Sequence, residues 1–117
     1  MRFYVDSIYQ IRYISNMVYK KIDIKHVQKA ASLLKAIAHP VRLRIIEILA
    51  VSRDCSVTRL CLELKEEQAI VSKHLANLKR AGLVDCRTEC NYRHYFIKNR
   101  NILNILDCIR KTCGKGE

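Results

Sequence analysis

From His26 onward the apolar residues recur at helical spacing. Val27, Ala30, Ala31, Leu34, Ile37 and Ala38 fall along one side of a helix. His39-Pro40 should stop it, because the residue before a proline is pushed out of the α region. The proline itself suits the first turn of a following helix. Val41, Leu43, Ile45, Ile46, Ile48 and Leu49 make that second helix apolar over much of its surface, hence buried, with Arg42, Arg44 and Glu47 free to lie outside. Residues 51–56 read as a polar turn. A short third helix is predicted over about Val57–Leu64, with Ser56 as N-cap. Lys65-Glu66-Glu67 makes a second turn, and a fourth helix runs from about Gln68 to Ala81. Gly82 sits where a C-terminal glycine cap belongs. Leu83–Thr88 and Arg93–Ile97 are β-prone runs separated by Glu89-Cys90-Asn91-Tyr92, a hairpin by length and turn residues. A last helix is predicted over about Asn101–Thr112, followed by a loose tail at 114–117.

These elements predict a mainly α fold with a small β-hairpin wing, a winged helix-turn-helix over 26–113. The scarcity of breakers, with three glycines and one proline, favours helix. Residues 1–25 form an N-terminal extension. Its Ile8, Ile11 and Val18 are compatible with an amphipathic helix, which its β-branched residues weaken. The alternative for residues 1–16 is a translated upstream segment, with Met17 as the true start.

Charge narrows the function. Lysine and arginine number 22 against 11 acidic residues, a formal net charge of +11 on 117 residues. That balance calls for a polyanion: nucleic acid first, an anionic membrane surface second, structural RNA third. No run approaches the roughly 20 apolar residues of a membrane span, and residues 1–10 lack the apolar core of a secretory signal. The expected location is the cytoplasm, where the six cysteines stay mostly reduced. No phosphate loop, nucleotide fingerprint, nucleophile elbow or close acid–base pair is present, so an enzyme is not expected.

The fourth helix carries the sharpest pattern. Val71, Leu75 and Leu78 share one face, which must pack on a core. Gln68, Ala69, Ser72, Lys73, Ala76 and Asn77 then point away, as a narrow, small, hydrogen-bonding face of the kind a major groove admits. Gln68 and Asn77 are candidates to read adenine edges. Ser72 and His74 are candidates for bases or phosphates, and Lys73, Lys79 and Arg80 for phosphates. The wing adds Arg87, Arg93 and Asn91 at or near its tip, within reach of an adjacent backbone or minor groove. Taken alone, each feature also fits an ordinary solvated helix face or turn. A winged helix used for protein contact would need neither this face nor the charge. An RNA module would offer aromatic stacking surfaces, whereas here the aromatics cluster in residues 3–19 and the wing.

The segment Leu34-Lys-Ala-Ile-Ala-His-Pro-Val-Arg-Leu-Arg-Ile-Ile-Glu-Ile-Leu49 resembles the opening signature of ArsR/SmtB-type repressors. Val71-Ser-Lys-His-Leu-Ala-Asn-Leu-Lys-Arg-Ala-Gly-Leu-Val84 resembles their recognition helix and its exit into the wing. The resemblance covers roughly residues 27–112. It implies a winged-helix homodimer joined through its first and last helices, bound to an operator that is an imperfect inverted repeat and released by an inducer. The apolar faces of 27–38 and 102–109 fit that interface independently. Glu66-Glu67 stands where such proteins place a serine or threonine cap, a departure that puts the base contacts in question.

The sensing sites implied by the resemblance are mostly unmatched. Of a cysteine set around the third helix, Ser56 and Thr58 replace the first two members and only Cys61 agrees, with Cys55 displaced by one position. Asn99 and Asn101 stand where an Asp-x-His zinc pair would be, and an amide is a poor zinc ligand. Glu47 replaces the second-helix cysteine of a thiol switch, which leaves Cys55 with Cys108 or Cys113 as candidates. Cys108 and Cys113 lie about 140° apart around a helix and cannot chelate on one face. His26, His39, His74 and His94 are scattered and read as surface or capping groups. No cofactor or metal site is named by the sequence. Three alternatives stand: thiol-based sensing through Cys55, Cys61, Cys108 or Cys113, no role for the cysteines, or another ligand.

Overall fold

The computed structural model describes residues 23–114. The expectations for residues 1–22 and for the last three residues of the tail lie outside the described residues. The helices are α1 (Ile24–Ile37), α2 (Pro40–Ser52), α3 (Val57–Leu64), α4 (Gln68–Arg80) and α5 (Ile102–Cys113), and the strands are β1 (Asp54–Ser56), β2 (Val84–Glu89) and β3 (Tyr92–Ile97). Residues 32–114 belong to one compact unit.

Several helix boundaries have a local cause. His39 is extended, and its Nδ1 accepts from the Val41 amide at 3.1 Å, capping α2 ahead of Pro40. Ser56 Oγ does the same for α3, accepting from the Arg59 amide at 3.2 Å. Lys65, left-handed at φ 56°, ends α3 and turns the chain into α4. At the far end of α4 the Leu83 amide donates to Leu78 O and the Gly82 amide to Lys79 O, each at 3.0 Å. This is the Schellman pair, and it requires the positive φ of 79° that Gly82 supplies.

One core joins these elements. Ile45, Ile46 and Leu49 of α2, Leu60 of α3, and Val71, Leu75 and Leu78 of α4 are fully buried, with Leu83, Val84, Tyr95, Ile97 and Ile102 closing around them. The predicted inward face of α4 is therefore the one that packs. Helix α1 differs: within it only Ile37 is buried, while Ile24, Val27 and Leu34 stay exposed.

The sheet corrects the sequence reading at 51–56. Helix α2 continues through Ser52, and Asp54–Ser56 form a third strand rather than a turn. The strand order is β1-β3-β2, with Asp54 opposite Phe96, Cys55 opposite Tyr95 and Ser56 opposite His94. Arg53, at φ 67°, makes the reversal from α2 into β1. The hairpin is also tighter than expected. Glu89 pairs with Tyr92, leaving the two-residue turn Cys90-Asn91 with φ 51° and 67°. Two successive positive φ values give the type I′ turn that matches strand twist.

Candidate nucleic-acid interface

Packing of Val71, Leu75 and Leu78 fixes which side of α4 faces out. Gln68, Ala69, Ser72, Lys73 and Ala76 are exposed on it, as the spacing predicts. Asn77 is half-buried and engaged within its own helix: its Nδ2 donates to Lys73 O at 3.1 Å, and its Oδ1 accepts from Arg80 Nη1 at 2.9 Å. That bond holds Arg80 along the exposed side. Lys79 instead leans toward the wing, 3.9 Å from an Asp85 carboxylate oxygen and 3.5 Å from Cys86 Sγ.

Glu67 takes the N-cap position without a side-chain hydrogen bond to the helix. The departure at Glu66-Glu67 thus leaves a carboxylate beside the positive end of the helix dipole, a favourable placement. It also sits next to Gln68 and Ala69, on the side that a groove would meet.

His74 is turned off the outward face. It is half-buried, its ring centroid lies 4.4 Å from that of His39, and its Nδ1 accepts from Arg42 Nε at 3.0 Å. Burial pushes its pKa down, reinforced by His39, Arg42 and Lys73 and opposed by Glu66. The sequence gives no sign of Arg42 as a partner, because the two residues are 32 positions apart.

The wing separates its two arginines. Cross-strand pairing puts Thr88 and Arg93 on one face of the hairpin and Arg87 and His94 on the other. Arg87 is not at the tip. It donates to Asp54 of β1, lies 3.5 Å from Glu89 and sits 5.9 Å over the Phe96 ring. The Asp54 hydrogen bond raises its pKa. Arg93 is exposed near the tip and has no carboxylate partner among the described residues. Tyr92, 62% exposed, stands beside it and opens β3, although the spacing of the β-prone runs assigns it to the turn.

The candidate sensing cysteines lie on three elements and differ in exposure. Cys55 is buried on the core face of β1, and burial pushes its thiol up, with Glu63 and Asp54 adding to the shift and Arg59 opposing it. Cys61 is half-buried on α3, and Cys108 and Cys113 are exposed on α5. Among the described residues no three His, Cys, Asp or Glu side chains are grouped so as to hold a metal ion. No helix among them is long and apolar enough to cross a membrane.

A helix-turn-helix with an exposed second helix, followed by a hairpin built into the same sheet, defines a winged-helix DNA-binding regulator. Residues 39–85 match the family described as "Bacterial regulatory protein, arsR family". An uncharacterized HTH-type transcriptional regulator of Methanocaldococcus jannaschii is 35% identical over 82 residues, covering 70% of this chain and 92% of its own. The transcriptional repressor PagR of Bacillus anthracis is 37% identical over 86 residues, covering 74% and 86%. The structure of HlyU from Vibrio cholerae superposes with a TM-score of 0.70 at 32% identity, covering 77% of this chain and 97% of HlyU. The chain belongs to the ArsR family of transcriptional regulators.

Proposed function

We propose that this regulator is a repressor that binds an imperfect inverted repeat as a homodimer in the cytoplasm and leaves it when an inducer binds. The observation that carries the DNA-reading half is the outward face of α4, where Gln68, Ala69, Ser72 and Lys73 stand exposed over a fully buried inner face. In this reading Gln68, Ala69 and Ser72 meet base edges, with Asn77 at the margin of the face. Lys73, Arg80 and Arg93 meet phosphates. Arg87 acts from behind as a brace of the wing. Among relatives, PagR is named a repressor and HlyU of Vibrio cholerae an activator.

The dimer rests on unfilled apolar surface. Leu43 and Val51 of α2 and Leu103, Leu106 and Ile109 of α5 line an open groove, with Val51 85% exposed. On α1, Ile24 and Leu34 are 67% and 50% exposed. A second copy bringing the same surfaces would cover them, adding core that a chain this short lacks. For the inducer, exposure favours Cys108 and Cys113, then Cys61. Cys55 is the least accessible of the set, and its burial disfavours the thiolate.

The test begins with selection of binding duplexes from a random-sequence pool. A recovered inverted repeat whose affinity drops steeply with salt is the expected result. Failure to enrich any duplex, or an affinity indifferent to salt, would remove the DNA-binding repressor. Release of that duplex by arsenite, cadmium, zinc, copper or polysulfide, repeated with each cysteine changed to serine, decides the thiol inducer.

A further inference from the structure

Three side chains, two from α2 and its cap and one from α4, meet where the recognition helix crosses α2. His39 caps α2 through Nδ1, which accepts from the Val41 amide. Arg42, one turn later, splits its guanidinium: Nη1 donates to the carbonyl of Ala36 in α1 at 3.0 Å, and Nε donates to His74 Nδ1 at 3.0 Å. The His39 and His74 rings lie 4.4 Å apart, tilted at 45°. Arg42 is permanently charged and offers only donors. His74 Nδ1 must therefore be bare, and the proton of the neutral ring is on Nε2.

We propose that Arg42, with His39, positions the recognition helix for DNA through His74, and that this grip holds only while His74 is neutral. It rests on the DNA-binding reading above, but assigns His74 a positioning role rather than a contact with bases or phosphates. The reason is geometric. His74 is the polar group of α4 that reaches across to α2, and the bond to Arg42 continues to the end of α1, so the angle of α4 is referred to both helices. Protonation at Nδ1 would turn the acceptor into a donor facing a donor. It would also add a positive charge beside Arg42, Lys73 and His39, with only Glu66 opposing.

The sign follows from the lowered pKa of His74, below its ordinary 6.5. In the window between the folded value and 6.5 the unfolded chain binds more protons than the folded one. The stabilisation is therefore complete above pH 6.5 and is lost as pH falls through the folded value. DNA binding that depends on the lock weakens over the same range. A histidine touching phosphate behaves oppositely, since an imidazolium strengthens that contact.

Affinity for the duplex selected by the wild-type chain is measured at constant ionic strength from about pH 7.5 down through the pH at which the His74 ring nitrogens titrate. The expected result is a fall of at least about threefold on the acid side. In His74→Asn the side-chain oxygen takes the place of Nδ1 as acceptor. This variant should bind within about twofold of wild type at neutral pH and lose the acid-side fall, whereas His74→Leu and Arg42→Gln lose roughly tenfold at neutral pH. Wild-type affinity that rises on acidification, or is flat, overturns the proposal, as does His74→Asn binding no better than His74→Leu. Nitrogen chemical shifts of His74 decide the same point without any variant or DNA. The Nε2–H tautomer with titration below 6.5 is expected, and an Nδ1–H tautomer sinks the lock. If no duplex is ever selected, the repressor reading fails while the ring nitrogens still report on the lock.

Discussion

The recognition helix and the wing are both rich in basic residues, yet their charges are deployed differently. On α4, Lys73 is exposed and has no carboxylate partner among the described residues, and Arg80 is held outward by an amide that leaves its charge intact. In the wing, Arg87 is held between Asp54 and Glu89 and has its cation over Phe96. The helix leaves Lys73 without a carboxylate partner among the described residues, whereas the hairpin spends Arg87 on holding itself together. Net charge therefore overstates what the hairpin offers to a phosphate backbone, and only Arg93 of its two arginines is placed like a phosphate ligand.

The contrast is open to direct attack. The largest expected effect is on α4: Ser72→Ala combined with Lys73→Ala should weaken binding to a selected duplex about 30-fold, roughly 2 kcal/mol. Thermal unfolding should stay unchanged, since both side chains are exposed. A loss smaller than that from Arg87→Ala would invert the assignment of the two regions. Next comes the junction between them. Gly82→Ala should cost about 1–2 kcal/mol in urea unfolding, because φ 79° is strained for any side chain. Space is not the cause, as an added Cβ meets nothing within 4 Å. A neutral result would mean that α4 can end without the Schellman pair. The smallest effects separate the wing arginines. Arg93→Ala should lower affinity about threefold and reduce the salt dependence by about one phosphate contact. Arg87→Ala should change affinity less than about twofold, its ion pairs being solvent-screened. Equal losses from the two would show that the hairpin face is not selective.

Much of the helix-turn-helix was legible because its signals are local. Ser56 as N-cap, the Val71-Leu75-Leu78 face and Gly82 after the last periodic residue each act within a turn or two, and each sits where its chemistry demands. What escaped was non-local. Strand β1 is three residues long, too short for alternation to register, and its partner Tyr95 lies on the far side of the recognition helix in the chain. Arg87 read as a free cation at or near the tip because nothing near it in sequence announces Asp54. His74 read as a groove residue because helical spacing places it at the margin of the face, and only tertiary structure brings up Arg42. The tight turn was blurred by Cys90, which is not among the residues that usually take a left-handed turn position.

The short strand β1 has a mechanical consequence. A two-stranded ribbon alone is marginal in water, but here β3 is clamped on both sides, and one clamp is the link between α2 and α3. The hairpin is thereby cantilevered from the helical body that carries α4. On the DNA-binding reading proposed above, helix and wing would act as two jaws of a calliper whose span is set by protein packing. A duplex whose groove does not suit that span must supply the bending itself, so flexible base steps lying between the jaws would be favoured even where no side chain touches them.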